Sequence, residues 1–130
     1  MTDDELVECA RRAAEFAAAE LSGYKVGAAI LAADGRVFTG CNVESSSYGL
    51  TICAERTALV KALSEGAVIL ERIAVVTAGK KPAAPCGACR QMLYDYAPAI
   101  EVIFAASGDS FVKLPLLDLL PMPFGKEDLR

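Results

Sequence analysis

Two short runs in this 130-residue chain carry residue types that do chemistry at a useful spacing: Cys53-Ala54-Glu55-Arg56 and Pro85-Cys86-Gly87-Ala88-Cys89. In the second, two thiols stand three residues apart at the expected start of a helix, so they share a face. Exposed N–H groups and the dipole at a helix N-terminus favour the thiolate, the form that binds metal. Alone, a C-x-x-C pair reads as a redox couple or as half of a structural zinc site. Cys53, at the start of another expected helix, offers a third thiolate. Zinc takes four tetrahedral ligands, and a catalytic site leaves one position for water. Three cysteines and a water satisfy that rule. A structural site needs a fourth protein ligand, for which Cys9 and Cys41 are the remaining thiols. Glu55 lies two residues beyond Cys53 and points elsewhere on a helix, which suits contact with the bound water better than ligation. The chain has no histidine, so a carboxylate is the natural proton carrier.

Three thiolates on a divalent cation leave about one surplus negative charge. Arg56 and Arg90 stand beside the ligands in sequence, and together with the two helix dipoles they are expected to offset it. Overall charge points the same way as the site. Seventeen acidic against thirteen basic residues give a net charge of -4, and no basic run exists to replace the counterions of a nucleic acid. A small, nearly neutral ligand fits better. The odd count of five cysteines, an acidic start in place of a secretory signal, and the lack of a 20-residue apolar run imply a cytoplasmic protein with no membrane association. A mean hydropathy of +0.36 is high for a small monomer and implies a homo-oligomer.

These loops need a scaffold. Thr2 and Glu5 form a capping box that opens a helix running to about residue 21, with Leu6, Ala10, Ala13, Ala17 and Leu21 on one face. Val26–Ala32 reads as an apolar strand, Asp34-Gly35 as a hairpin turn and 36–40 as the return strand. A polar loop over 42–48 precedes a helix from residue 51 or 52 to Gly66, which suits a C′ position. A buried strand at 73–77, a Pro-containing loop at 79–85 and a helix from residue 86 or 87 to 96 follow. Strands at 100–105 and 111–114 and a helical turn at 116–120 complete the single domain, 1–130. Strands alternating with helices imply an α/β layered structure with a mixed sheet, the later strands joined by parallel crossovers. The loops before the second and third helices then lie at strand ends, where open α/β sheets bind ligands.

With its third thiol and its carboxylate, the pattern resembles the zinc deaminases, whose signature is H-x-E or its all-cysteine form followed by P-C-x-x-C. The chain is similar over nearly its whole length to the small three-cysteine cytidine deaminases. Val26-Gly27-Ala28-Ala29 resembles their first strand, Asn42-Val43-Glu44 their ribose-binding segment, and Thr51 to Arg56 and Pro85 to Gln91 their zinc segments. Leu119-Leu120-Pro121 with Phe124 and Asp128-Leu129 resembles their C-terminal signature. The resemblance implies a three-layer α/β/α sandwich with a five-stranded mixed sheet, a homotetramer, and one zinc per subunit on Cys53, Cys86 and Cys89. It implies hydrolytic deamination of free cytidine and 2′-deoxycytidine to the uridine forms, with release of ammonia, in pyrimidine salvage. Water activated at the metal attacks C4 of cytosine, and Glu55 carries protons to N3 and to the leaving amino group. Asn42 and Glu44 match positions that bind sugar hydroxyls, Tyr24 and Val26 line the base pocket, and Ala54 offers backbone groups to the base. Tyr48 and Phe124 match positions that reach a neighbouring subunit's site, and Arg56 balances charge at the metal.

Three positions depart from the family pattern. Glu20-Leu21 stands where Pro-Tyr is frequent, Ser45 where Asn is, and Tyr24 where Phe is; all bear on pocket shape and sugar preference rather than on the reaction. By composition alone Asn42, Glu44 and Ser45 to Ser47 read as a solvated turn, Cys9 and Cys41 as inert buried thiols, and Tyr94 and Tyr96 as structural. Two rival functions share the motifs. One is a zinc deaminase for another aminated heterocycle, such as an aminonucleoside antibiotic. The other is a zinc-binding scaffold without turnover, against which the retained Glu55 carboxylate argues.

Overall fold

A computed structural model describes residues 1–108 and 110–129. Helix α1 (Asp3–Ala14) opens with the capping box: the Thr2 hydroxyl accepts from the Glu5 N–H at 3.1 Å, and the Glu5 carboxylate accepts from the Thr2 N–H at 2.9 Å. Asp3, Asp4 and Glu5 sit in its first turn and Arg11 and Arg12 in its last, both complementing the dipole. Asp3 also ties the helix to the sheet, pairing with Arg72 and with Lys113.

The expected extension of α1 to residue 21 does not occur. The alanine-rich sequence favours helix, but the chain beyond Ala14 is claimed by a tertiary contact. Ala18 bridges Val43, donating to the Asn42 carbonyl at 2.9 Å and accepting from Glu44 N–H at 3.0 Å. Val43 in turn exchanges two hydrogen bonds with Ile52. Segment 42–44 is thereby held between two neighbours, and it is the segment that delivers Asn42 and Glu44.

Strand β1 (Val26–Ala32) and strand β2 (Val37–Cys41) form the hairpin around Asp34-Gly35. Helix α2 (Ala54–Ser64) leads to β3 (Leu70–Thr77), and α3 (Gly87–Tyr96) to β4 (Glu101–Ala105). Strand β5 (Phe111–Pro115) runs directly into the short helix α4 (Leu116–Leu119). Helix α2 ends in a Schellman closure, Ala67 N–H to the Ala62 carbonyl and Gly66 N–H to that of Leu63, with Gly66 at φ 85° as C′ requires.

The sheet order is β2-β1-β3-β4-β5. Among the described residues of this sheet only the β3–β4 pair is parallel; β3 pairs antiparallel with β1, and β5 antiparallel with β4. The expectation of parallel crossovers for all later strands is corrected here. The α2 crossover does join two strands of like direction, β2 and β3, but it passes over β1, which lies between them and runs the other way. The β4–β5 link, 106–110, is too short to hold a crossover helix, so it can only reverse.

Side chains alternate cleanly between the two faces. Ala29, Leu31, Ala74, Val76, Ile103 and Ala105 meet Leu6, Val7 and Ala10 of α1. Ala28, Ile30, Ile73, Val75, Val102 and Phe104 meet Ala58, Leu59 and Leu93 of α2 and α3. The three-layer α/β/α sandwich expected from the sequence is therefore present. On the α2 face the approach is close: a Cβ at Gly40 of β2 would lie 2.5 Å from Ala58 N and 2.7 Å from Ala54 O. No helix among the described residues is long and apolar enough to cross a membrane.

Candidate active site

The N-termini of α2 and α3 converge at one end of the sheet, on the face away from α1. Cys53 is the N-cap of α2 and Cys86 the N-cap of α3, each in extended backbone, and neither side chain caps its helix. Both thiols are instead turned towards each other. Cys53 Sγ lies 3.8 Å from Cys86 Sγ, and Cys86 Sγ lies 3.4 Å from Cys89 Sγ, one turn further along α3. All three sulfurs lie within 4.8 Å of one another. Zinc–sulfur bonds of about 2.3 Å in a tetrahedron require sulfurs about 3.8 Å apart, so a triangle of this size can hold the ion. Cys9 and Cys41 are not in the cluster, and among the described residues no other Cys, Asp or Glu joins it, which is the protein-ligand count of a catalytic rather than a structural zinc site.

The protons of the cluster are unequally held. Hydrogen bonding from Cys89 draws the pKa of the Cys53 thiol down to about 5, with help from Cys86 and from the Arg56 charge and against the cost of burial. The Cys89 thiol is pushed up, first by that same bond to Cys53, then by burial and the Glu55 charge. Arg56 also donates to the Thr51 carbonyl at 3.0 Å, which fixes its guanidinium beside the N-terminus of α2. Arg90 is committed differently, to the carbonyls of Pro85 at 2.6 Å and Leu119 at 2.7 Å.

Glu55, the second residue of α2, is only 5% exposed. Burial raises its carboxyl above the usual range and the Cys53 charge adds to this, while its own backbone N–H, the Cys89 thiol and Arg56 oppose. It shares a cavity of about 240 Å³ with Cys53 and Cys86, and the expected residues Tyr24, Val26, Asn42 and Ala54 line the same cavity. Asn42 is buried, and its amide clamps the wall: Oδ1 accepts from Val26 N–H at 2.9 Å, and Nδ2 donates to the Tyr24 carbonyl at 2.8 Å. One Nδ2 hydrogen remains for a ligand.

Glu44 and Tyr48 line a second depression with Ser22, which shares Thr51 with the first. Hydrogen bonds from the Ser22 hydroxyl and N–H hold the Glu44 carboxyl below its usual value, so it stays an acceptor. Tyr48 is 84% exposed. Phe124 lines neither depression; its carbonyl accepts from Gln91 Nε2 at 2.8 Å and its ring is exposed. The sequence assigns no individual role to Thr51, Thr77 or Ser22. Thr77 ends a continuous apolar strand and Ser22 precedes a glycine, signals too common to notice without the fold.

The model of the cytidine and deoxycytidylate deaminase zinc-binding region matches residues 1–106, which include all three thiols. The chain belongs to this family. It is 45% identical over 126 residues to a cytidine deaminase of Halalkalibacterium halodurans, with 95% of each chain covered. A cytidine deaminase of Sporosarcina psychrophila is 40% identical over 131 residues, covering 99% of this chain and 96% of that one. Among solved structures, the cytidine deaminase of Burkholderia pseudomallei superposes with a TM-score of 0.92 at 46% identity, over 95% of this chain and all of that one. Membership and the thiol triangle together make the chain a zinc-dependent hydrolytic deaminase with one zinc per subunit, held by Cys53, Cys86 and Cys89.

Proposed function

We propose that this chain deaminates free cytidine and 2′-deoxycytidine to uridine and 2′-deoxyuridine, consuming one water and releasing one ammonia. The observation that carries this reading is the buried Glu55 carboxylate set beside three thiols in a cavity that also holds the Asn42 amide. Zinc held by Cys53, Cys86 and Cys89 supplies the Lewis acidity that makes water a nucleophile near neutral pH. Glu55 would take one proton from the attacking water and pass it to N3 as the C4–O bond forms, then take the second proton from the new C4 hydroxyl and pass it to the amino group, which leaves as ammonia when the C4–N bond breaks. Its seclusion from solvent keeps those protons from leaking away.

Asn42 offers its free Nδ2 hydrogen, and Glu44 its ionised carboxylate, to sugar hydroxyls. Deoxycytidine keeps the 3′ and 5′ hydroxyls, which is why both nucleosides are included. Tyr24 and Val26 hold the ring, Ala54 presents its backbone, and Arg56 balances the charge of the thiolates. The whole chain, 1–130, works as one cytoplasmic domain, in salvage of pyrimidine nucleosides.

A homotetramer is part of the proposal. Phe16, Val68, Ile69 and Met122 are large apolar side chains left mainly exposed, and such surface is normally covered by a partner. Tyr48 and Phe124 would then enter a neighbouring subunit's site. Loss of the cytidine ultraviolet band with the zinc-loaded protein, and its persistence with Glu55→Gln, is the expected result. Turnover by both proteins would overturn the role of Glu55. Turnover by neither, from folded zinc-loaded protein, would overturn the substrate.

A further inference from the structure

The two-residue period that turns Ile73 and Val75 towards α2 and α3 carries Thr77 to the same face, at the end of β3. There it lines the cavity that holds Glu55 and Cys86, opposite Val26 in the strand register. Thr77 is 5% exposed, and its Oγ1 is shielded from bulk water with no hydrogen-bond partner among the described residues. A buried hydroxyl left alone is destabilising, and native proteins rarely keep one without a use. Valine has the same shape without the penalty, so packing alone does not explain a threonine here.

We infer that the Thr77 hydroxyl is a specificity-determining group that finds its partner on the polar ring edge of a bound pyrimidine nucleoside. This rests on the nucleoside reading of the site. The ring is favoured over the sugar because Thr77 lies in the compartment of the thiols and Glu55, whereas Glu44 faces the neighbouring depression. Turning the hydroxyl into the cavity needs only a change between staggered χ1 wells. Since a hydroxyl donates and accepts, either kind of ring atom can be read.

Zinc-loaded wild type, Thr77→Val and Thr77→Ser are compared by melting temperature, by the rise in melting temperature on adding uridine, and by cytidine kinetics. Thr77→Val is expected to melt no lower than wild type, because an unpaired buried group is gone. Its uridine-induced rise should shrink, and its kcat/KM should fall about tenfold, equivalent to about 1.4 kcal/mol. Thr77→Ser should restore kcat/KM to within about twofold of wild type. A valine variant with wild-type kcat/KM and uridine response overturns the inference while wild-type turnover leaves the nucleoside reading intact. A valine variant that melts lower and is not rescued by serine also overturns it, since Thr77 would then be a wall residue. Wild type inert to both cytidine and uridine defeats the nucleoside reading first, and this inference with it.

Discussion

Gly40→Ala would separate the packing that aims the site from the packing that merely holds the molecule together. The new Cβ meets Ala58 N at 2.5 Å and Ala54 O at 2.7 Å, the two ends of one backbone hydrogen bond in α2. Neither atom can swing aside as a side chain would. An ordinary contact starts near 3.4 Å, so the N-terminal half of α2 must move away from β2 by about 0.9 Å. That half carries Cys53 and Glu55. A displacement near 1 Å at reacting groups costs about 10²-fold in rate, and overpacking of this kind costs about 2–3 kcal/mol of stability. The control is Leu6→Ala, fully buried on the opposite face under α1, which should lose about 2–5 kcal/mol. Both variants would be assayed for cytidine kcat, zinc content and urea midpoint below their melting temperatures. The expected pattern is a fall in kcat of about 10²-fold for Gly40→Ala and near-wild-type kcat for Leu6→Ala. A Gly40→Ala enzyme that loses stability but keeps its kcat would refute the claim that β2 sets the position of α2.

Asp3 gives a pH test. Hydrogen bonds from Lys113 and then Arg72 hold its carboxyl below the ordinary 3.8. A depressed acid adds stability that is complete above its unfolded value and disappears as pH falls through its folded one. Asp3→Asn should therefore be less stable by about 1 kcal/mol at pH 7, and the gap should close below about pH 4; a gap that is constant with pH would contradict the assignment. Asn42→Ala strands the Val26 N–H and the Tyr24 carbonyl, so it should cost about 1–3 kcal/mol in thermal unfolding together with a raised KM; a raised KM with unchanged stability would deny the clamp. Cys89→Ser should bring zinc, measured by atomic absorption, well below one per chain, and unaltered stoichiometry would exclude Cys89 as a ligand.

The site is more legible in the sequence than the sheet that builds it. Thiols and carboxylate at fixed spacing announce themselves because metal chemistry tolerates few substitutes, and the structure gathers Cys53, Cys86, Cys89 and Glu55 as expected. The capping box at Thr2 and the helix end at Gly66 are equally readable, since both are local. Non-local choices are hidden. The run Ala17-Ala18-Ala19 favours helix on propensity, and no proline or glycine stands between Ala14 and Leu21 to stop α1. Only the bridge from Ala18 to Val43 overrides that preference. The antiparallel pairing of β1 with β3 is invisible for a similar reason: nothing in a strand's own residues says which neighbour a crossover will skip. Thr77 escapes notice because its meaning is a missing partner, which only the folded chain reveals.

The uncapped starts of α2 and α3 have an evolutionary reach. Cys53 and Cys86 occupy positions where serine or aspartate would satisfy a helix N–H, and neither thiol does so. Serine or aspartate at either place would steady its helix by about 1 kcal/mol while deleting a thiolate. Active and stable sequences thus diverge at the same two codons. In the metal-free chain both helix starts forgo a capping bond, and the stability missing there is returned only when the two thiolates bind their ion.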